Sequence, residues 1–121
     1  MFQDTLHKAL SHVEGAIACV LIGFDGIPIA SVSKSGQDGK DALMAVAVEI
    51  AGVLGQIQRA NMTRELGGVG ELTLRTGTVA ALAHVVLGEY VLVMTVSPEA
   101  DLDRSARMLR LLAPGVEHQM Q

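Results

Sequence analysis

The residues of this chain that could do chemistry are four histidines, one cysteine, a scatter of serines and one glycine cluster, and their spacing assembles no site. His7, His12, His84 and His118 have no metal-ligand spacing with Cys19 or with one another. Cys19 lies in an apolar run, where a buried, reduced thiol is expected, and His84 sits in an apolar strand as a core or interface histidine. A phosphate-binding loop leads from a strand into a helix N-terminus, where backbone amides converge on the ligand. Gly67-Gly68-Val69-Gly70 instead leads from a helix into a strand, and no lysine follows. Ser11, Ser31, Ser33, Ser35, Ser97 and Ser105 have no nucleophile-elbow context, and no carboxylate pair is spaced for acid–base work. The expectation is a protein with no catalytic residues, no metal and no cofactor.

What remains is surface for binding, and the stretch from Asp41 to Leu66 must supply most of it. At 100° per residue, Leu43, Val46, Ala47, Ile50, Leu54 and Ile57 form one stripe, and Met44, Val48, Ala51, Gly55 and Met62 form a second beside it. A single sheet can cover only one stripe. The second is expected to meet another helix or another chain, with Ala51 and Gly55 allowing a close approach. Gly52 and Gly55 each cost roughly 1 kcal/mol inside a helix, which close packing would explain. The remaining arc, with Glu49, Gln56, Arg59 and Thr63, faces water or a polar partner.

Composition narrows the partner. A net charge of −4 and only three aromatic residues, Phe2, Phe24 and Tyr90, exclude the basic stripes and stacking platforms that nucleic acid requires. With 121 residues, one domain can bury a sizeable core without disulfide or metal. No uninterrupted apolar run reaches the 18 residues of a membrane span, and the opening Met-Phe-Gln-Asp lacks the basic region of a signal peptide. A cytoplasmic protein without membrane insertion is therefore expected.

Periodicity supplies the elements that position this surface. Phe2, Leu6, Ala9, Leu10 and Val13 keep helical spacing, and Gly15 ends that helix. Ala16 to Phe24 is apolar throughout, as in a strand covered on both faces; Asp25-Gly26 predicts a two-residue turn into a second strand, Ile27 to Lys34, which Pro28 places at an edge. Ser35 to Lys40 reads as a loop, with Asp38 capping the long helix and Leu66-Gly67-Gly68 ending it. Glu71, Thr73 and Arg75 alternate with Leu72 and Leu74 in a second edge strand. Turns at Gly77-Thr78 and Gly88-Glu89 lead into two interior strands, Val79 to Leu87 and Tyr90 to Val96. Ser97-Pro98 predicts the start of a last helix with Leu102, Ala106, Leu109 and Ala113 inward, its arginines solvated, and Pro114-Gly115 as its end. The order αββαβββα, with short turns and two edges, gives an α+β fold: a five-stranded antiparallel sheet, order 2-1-5-4-3, with helices on both faces.

On these residues the chain resembles the roadblock family, the dynein-light-chain and MglB-type regulators of small GTPases. The likeness runs from about Leu6 to Ala113, through Phe24-Asp25-Gly26, Ile29-Ala30-Ser31, the long Ala/Val/Gly-rich helix, Glu71-Leu72-Thr73-Leu74-Arg75, Tyr90-Val91-Leu92-Val93 and the Ala100 to Leu112 helix. Profilin-like and longin sheets share the strand order. The resemblance implies one domain over residues 1–121 and a two-fold homodimer. In it the third strands pair through Glu71, Thr73 and Arg75, and the long helices lie side by side through Met44, Val48, Ala51, Gly55 and Met62. It further implies no enzyme activity of the chain's own: members scaffold complexes or bind Ras-like GTPases, and MglB-type members accelerate GTP hydrolysis by ordering the GTPase's switch regions without inserting an arginine. Glu49, Gln56, Arg59 and Thr63 are then the expected partner contacts. The alternative is a structural adaptor in a cytoskeletal, motility or polarity complex.

Overall fold

The computed structural model describes residues 2–34, 37–65 and 67–120; the side chains of 37–39 and 61–64 lie outside the description. The elements are α1 (Phe2–His12), β1 (Ala16–Gly23), β2 (Pro28–Ser33), α2 (Gln37–Arg64), β3 (Glu71–Arg75), β4 (Ala80–Val86), β5 (Tyr90–Val96) and α3 (Leu102–Met120). All strand neighbours are antiparallel and the order is β2-β1-β5-β4-β3, as the sequence predicts. Pro28 begins the edge strand β2, where its missing N–H breaks no interior ladder.

Strand alternation divides the core in two. Cys19 and Leu21 of β1, with Leu82 and Met94, meet Leu6 and Leu10 of α1 and Leu109 of α3. Ala18, Val20 and Ile22, with Val91 and Val93, point the other way and meet Leu43, Ala47, Ile50 and Leu54 of α2. By length and composition Lys40–Ala60 could cross a membrane, at a mean hydropathy of 1.3, which the run lengths alone did not predict. Here those leucines and alanines cover the sheet instead.

Five local expectations are corrected. The β1–β2 turn holds three residues rather than two: Gly26 N–H donates to Gly23 O at 2.9 Å and Gly23 N–H to Ile27 O at 3.0 Å. Gly26 has φ +84° while Asp25 stays at negative φ, the pattern of a type I turn closed by a glycine bulge. Second, α2 starts at Gln37, so residues read as loop are its first turn. Asp38 is therefore inside the helix rather than at its cap, and its side chain is outside the described residues. Third, α3 starts at Leu102, five residues after Ser97. Ser97 to Ala100 is a turn closed by Ala100 N–H on Ser97 O, and Asp101 caps the helix by accepting the Arg104 N–H at 3.1 Å.

Fourth, α3 runs through Pro114-Gly115 to Met120. An interior proline costs about 3 kcal/mol because it removes one helical hydrogen bond and crowds the preceding turn. Burial of Val116 offsets this by roughly 1.5–3 kcal/mol, Met120 packs against the same core, and Thr5 of α1 donates to Gln119 at 2.7 Å. Tertiary contacts beyond the proline hold the helix.

The β4–β5 turn centres on Leu87-Gly88, at φ +55° and +71°, rather than on Gly88-Glu89. A leucine held left-handed costs on the order of 1 kcal/mol. Because Leu87 is exposed, little burial is at stake. Leu87→Asn is accordingly expected to stabilise the chain by roughly 1 kcal/mol in denaturant titration; an unchanged or lower midpoint would contradict the strain assigned to this turn.

Candidate partner-binding surface

α2 packs over β1, flanked by β2 and β5, and leaves β3 without a helix above the same face of the sheet. Leu72 is half-buried there and Leu74 is 41 % exposed. Gln58 fixes which flank of α2 looks toward this gap, since its Oε1 accepts the Val69 N–H at 2.9 Å just before β3. Met44, half-buried, and Val48, 44 % exposed, follow on that flank, while Gly55 of the same stripe is buried. Ala51 belongs to the same stripe but is fully buried in the chain's own core, against the sheet. It offers no accessible surface to another chain, so the open part of the stripe is narrower than its periodicity suggested.

Glu49, Gln56 and Arg59 are all exposed on the outer arc of α2. The side chains of Met62 and Thr63 lie outside the described residues. Sequence reasoning passed over Ala45 and Val53, which are exposed on the same arc, and placed Gly52 in close packing. In the structure a Cβ on Gly52 would meet nothing within 4 Å, and one on Gly55 would meet only Arg59 Nη1 at 3.5 Å. Neither glycine is required by packing within the chain. Gly52 is exposed and Gly55 buried, and the only signal for this in the sequence was two helix-weakening residues three apart.

On β3, Glu71, Thr73 and Arg75 are exposed and their strand has a free edge. Glu71 accepts from Arg110 Nε on α3, with both carboxylate oxygens at 2.8 Å. That hydrogen bond, ahead of the Arg110 charge and a smaller contribution from His84 across the strand pair, holds the Glu71 carboxyl below its ordinary value of 4.5. A depressed carboxylate pKa gives stability that is present above the unfolded-state pKa and is lost as pH falls through the folded-state value. Both groups are largely solvated, so the effect is small. Glu71→Gln should lower stability slightly at neutral pH, and the difference from wild type should close in acid; a gap that persisted below the carboxylate range would show that the loss is not electrostatic.

Burial pushes the Cys19 thiol up to about 12, which keeps it protonated and unreactive. His84 Nδ1 is buried without a hydrogen-bond partner among the described residues. A cleft of about 430 Å³ opens between the end of α1 and the start of α3, lined by Val13, Glu14, Ser97, Glu99 and Arg104 among others. Its two hydroxyls are committed, Ser97 Oγ donating to Glu99 at 2.6 Å and Ser105 Oγ to the Asp101 carbonyl at 2.9 Å, while His12 Nδ1 lies 2.7 Å from the Lys8 carbonyl. Ser11 Oγ lies 3.3 Å from the same His12 Nδ1, but it donates to the Lys8 carbonyl at 2.8 Å and is outside the cleft lining. Among the described residues no group of three or more histidine, cysteine or carboxylate side chains could hold a metal.

The crystal structure of MglC from Myxococcus xanthus is 30 % identical over 98 % of both chains, with a TM-score of 0.68. The chain belongs to the roadblock family. A roadblock/LC7 domain from Streptomyces avermitilis, 16 % identical over 96 % of this chain and 94 % of its own, superposes with a TM-score of 0.78. MglB from Myxococcus xanthus, 13 % identical over 98 % and 96 %, gives the same score. At those identities the two matches speak for the roadblock fold alone. No protein-family model matches the sequence, and no curated protein matches it.

Proposed function

We propose that this roadblock chain is a homodimeric binding module, without chemistry of its own, whose paired α2 helices form a platform for a small Ras-like GTPase and regulate its GTP cycle. The observation that carries the reading is the gap beside α2. One helix covers only part of its face of the sheet, Leu74 of the edge strand and Val48 of α2 are exposed, and neither Gly52 nor Gly55 is required by packing within the chain. A second copy related by a two-fold axis would bring its own α2 and β3 to this place, with Glu71 and Arg75 at opposite ends of an antiparallel pairing centred on Thr73. MglB is described in a tetrameric arrangement in one related structure, 16 % identical, so assembly of this fold has a precedent. Glu49, Gln56 and Arg59, with Thr63 from the sequence reading, then supply the polar contacts on the platform. The alternative is an adaptor that gathers partners without altering hydrolysis, and the unreactive character of Cys19 and Ser97 suits either.

Arg59 is the residue that separates binding from catalysis. It lies on the exposed side of a 28-residue helix, whereas an arginine finger must extend into another protein's site and is worth about 10³ to 10⁵ in rate. Arg59→Ala is expected to weaken GTPase affinity by about 1–2 kcal/mol and to leave single-turnover hydrolysis near normal at saturation. Collapse to the intrinsic rate despite full binding would make Arg59 catalytic. Absence of any GTP-dependent partner in a pull-down with a non-hydrolysable analogue would favour the adaptor.

A further inference from the structure

We propose that Glu71 and Arg75 make the free edge of β3 self-selective: it fits a second copy of this chain and disfavours a related chain whose third strand lacks the charge pattern. The inference rests on the two-fold dimer proposed above and names what selects its partner. The backbone fixes which residues take part. Thr76 N–H donates to Val79 O and Val85 N–H to Gly70 O, each at 2.8 Å. In an antiparallel ladder alternate residues bond to a given neighbour, so Gly70, Leu72, Leu74 and Thr76 are turned to β4. Glu71, Thr73 and Arg75 therefore hold their N–H and C=O groups out along the end of the sheet. Their side chains are exposed on the α3 face, where Glu71 meets Arg110, while Leu72 packs on the α2 face.

Charge then selects among the two-fold registers that this backbone allows. Centred on Thr73, the pairing sets each Glu71 opposite the Arg75 of the other copy. Centred on Glu71 or on Arg75, it sets like charges face to face. Centred on Leu72 or Leu74, it sets both charged residues opposite uncharged ones. Among the described residues Arg75 has no carboxylate within ion-pair distance. Glu71 is held by Arg110, but through Nε alone, and a carboxylate has about four acceptor positions, which leaves room for a second guanidinium. Asp103 of α3 acts on the Arg110 charge and pairs with neither arginine. Arg110 thus restrains the Glu71 carboxylate before a second copy arrives, which lowers the entropy lost on pairing. Two chains of this fold, MglB and MglC, come from Myxococcus xanthus, so a roadblock edge can meet edges other than its own. A third strand with like charges at these positions is repelled, and one without charge forfeits both pairs.

The test uses charge swaps in the full chain, read at low salt by sedimentation velocity and, for mixtures, by native mass spectrometry. Glu71→Arg sets arginine against Arg75 and Arg75→Glu sets glutamate against Glu71, at both ends of the pairing. Each is expected to dimerise about ten-fold more weakly than wild type. Mixed, the two should pair with each other, because every charged contact is then between opposite signs; recovery in the mixture also shows that both fold. The double swap Glu71→Arg/Arg75→Glu should pair with itself and disfavour wild type by about ten-fold. Glu71→Gln gives up the Arg110 contact without adding a like charge, and should dimerise more tightly than Glu71→Arg. If wild type dimerises and the swaps dimerise equally well, or the double swap mixes freely with wild type, the charge selection is overturned and the dimer stands. Single variants that stay monomeric when mixed would overturn it too. A wild-type monomer at micromolar concentration would remove the dimer itself, and the selection with it.

Discussion

Leu54→Ala is expected to destabilise the chain by about 3–5 kcal/mol, the largest effect of any single substitution on α2. Leu54 is fully buried and packs in the cluster formed by Val20, Ile22, Val91 and Val93. Truncation removes the transfer free energy of three carbons and leaves a cavity that strand backbones cannot close, a combination that typically costs 2–5 kcal/mol. The upper half of that range applies because Leu54 lies on the middle strands, where neighbours on both sides are pinned by ladders. Val53, its neighbour in sequence, is 44 % exposed, and Val53→Ala should cost well under 1 kcal/mol in the isolated chain. Denaturant titration of both variants reads the contrast directly, and a similar loss at the two positions would mean that α2 sits on the sheet by a different face.

This contrast shows how far the sequence carries. The 2-1-5-4-3 order was legible because each constraint was local: Pro28 demands an edge, Glu71 to Arg75 alternates, and the strands between are apolar on both faces. The inward stripe of α2 was legible for the same reason, since 3.6-residue periodicity needs no knowledge of neighbours. Helix limits were not. Ser97-Pro98 and Asp101 are both plausible starts, and the choice falls to Asp101 because Ser97 remains hydrogen-bonded to Gly15 at the end of the strand ladder. Pro114 reads as a stop until Thr5 and Gln119, 114 residues apart, are seen to meet. The site divides similarly. Exposure of Glu49, Gln56 and Arg59 follows from helix geometry, whereas the full burial of Ala51 and the pairing of Glu71 with Arg110 depend on where α2 and α3 cross the sheet, which no periodicity encodes.

The second large effect concerns assembly, and it is expected to run opposite in sign to the effect on the chain itself. Gly52→Leu places a side chain into open space within the chain, so it replaces a residue that weakens the helix by roughly 1 kcal/mol with a good helix former. At high dilution the variant should melt later than wild type. If two α2 helices approach each other as proposed, the same side chain enters the contact between them and overpacks it by about 1–3 kcal/mol, a roughly 5- to 150-fold weaker dimer. Gly55→Leu extends the test to the stripe read from the sequence; its new side chain would first displace Arg59 from ordinary contact, so it should loosen assembly and partner binding together. Sedimentation velocity over a concentration series measures the first effect, and melting at a fixed low concentration measures the second, since any linked dimerisation makes the midpoint concentration-dependent. A wild-type chain that stays monomeric at micromolar concentration would remove the platform. A Gly52→Leu chain that gains stability and dimerises as tightly as wild type would instead move the contact away from this side of α2, leaving the free edge of β3 to hold the two copies together alone.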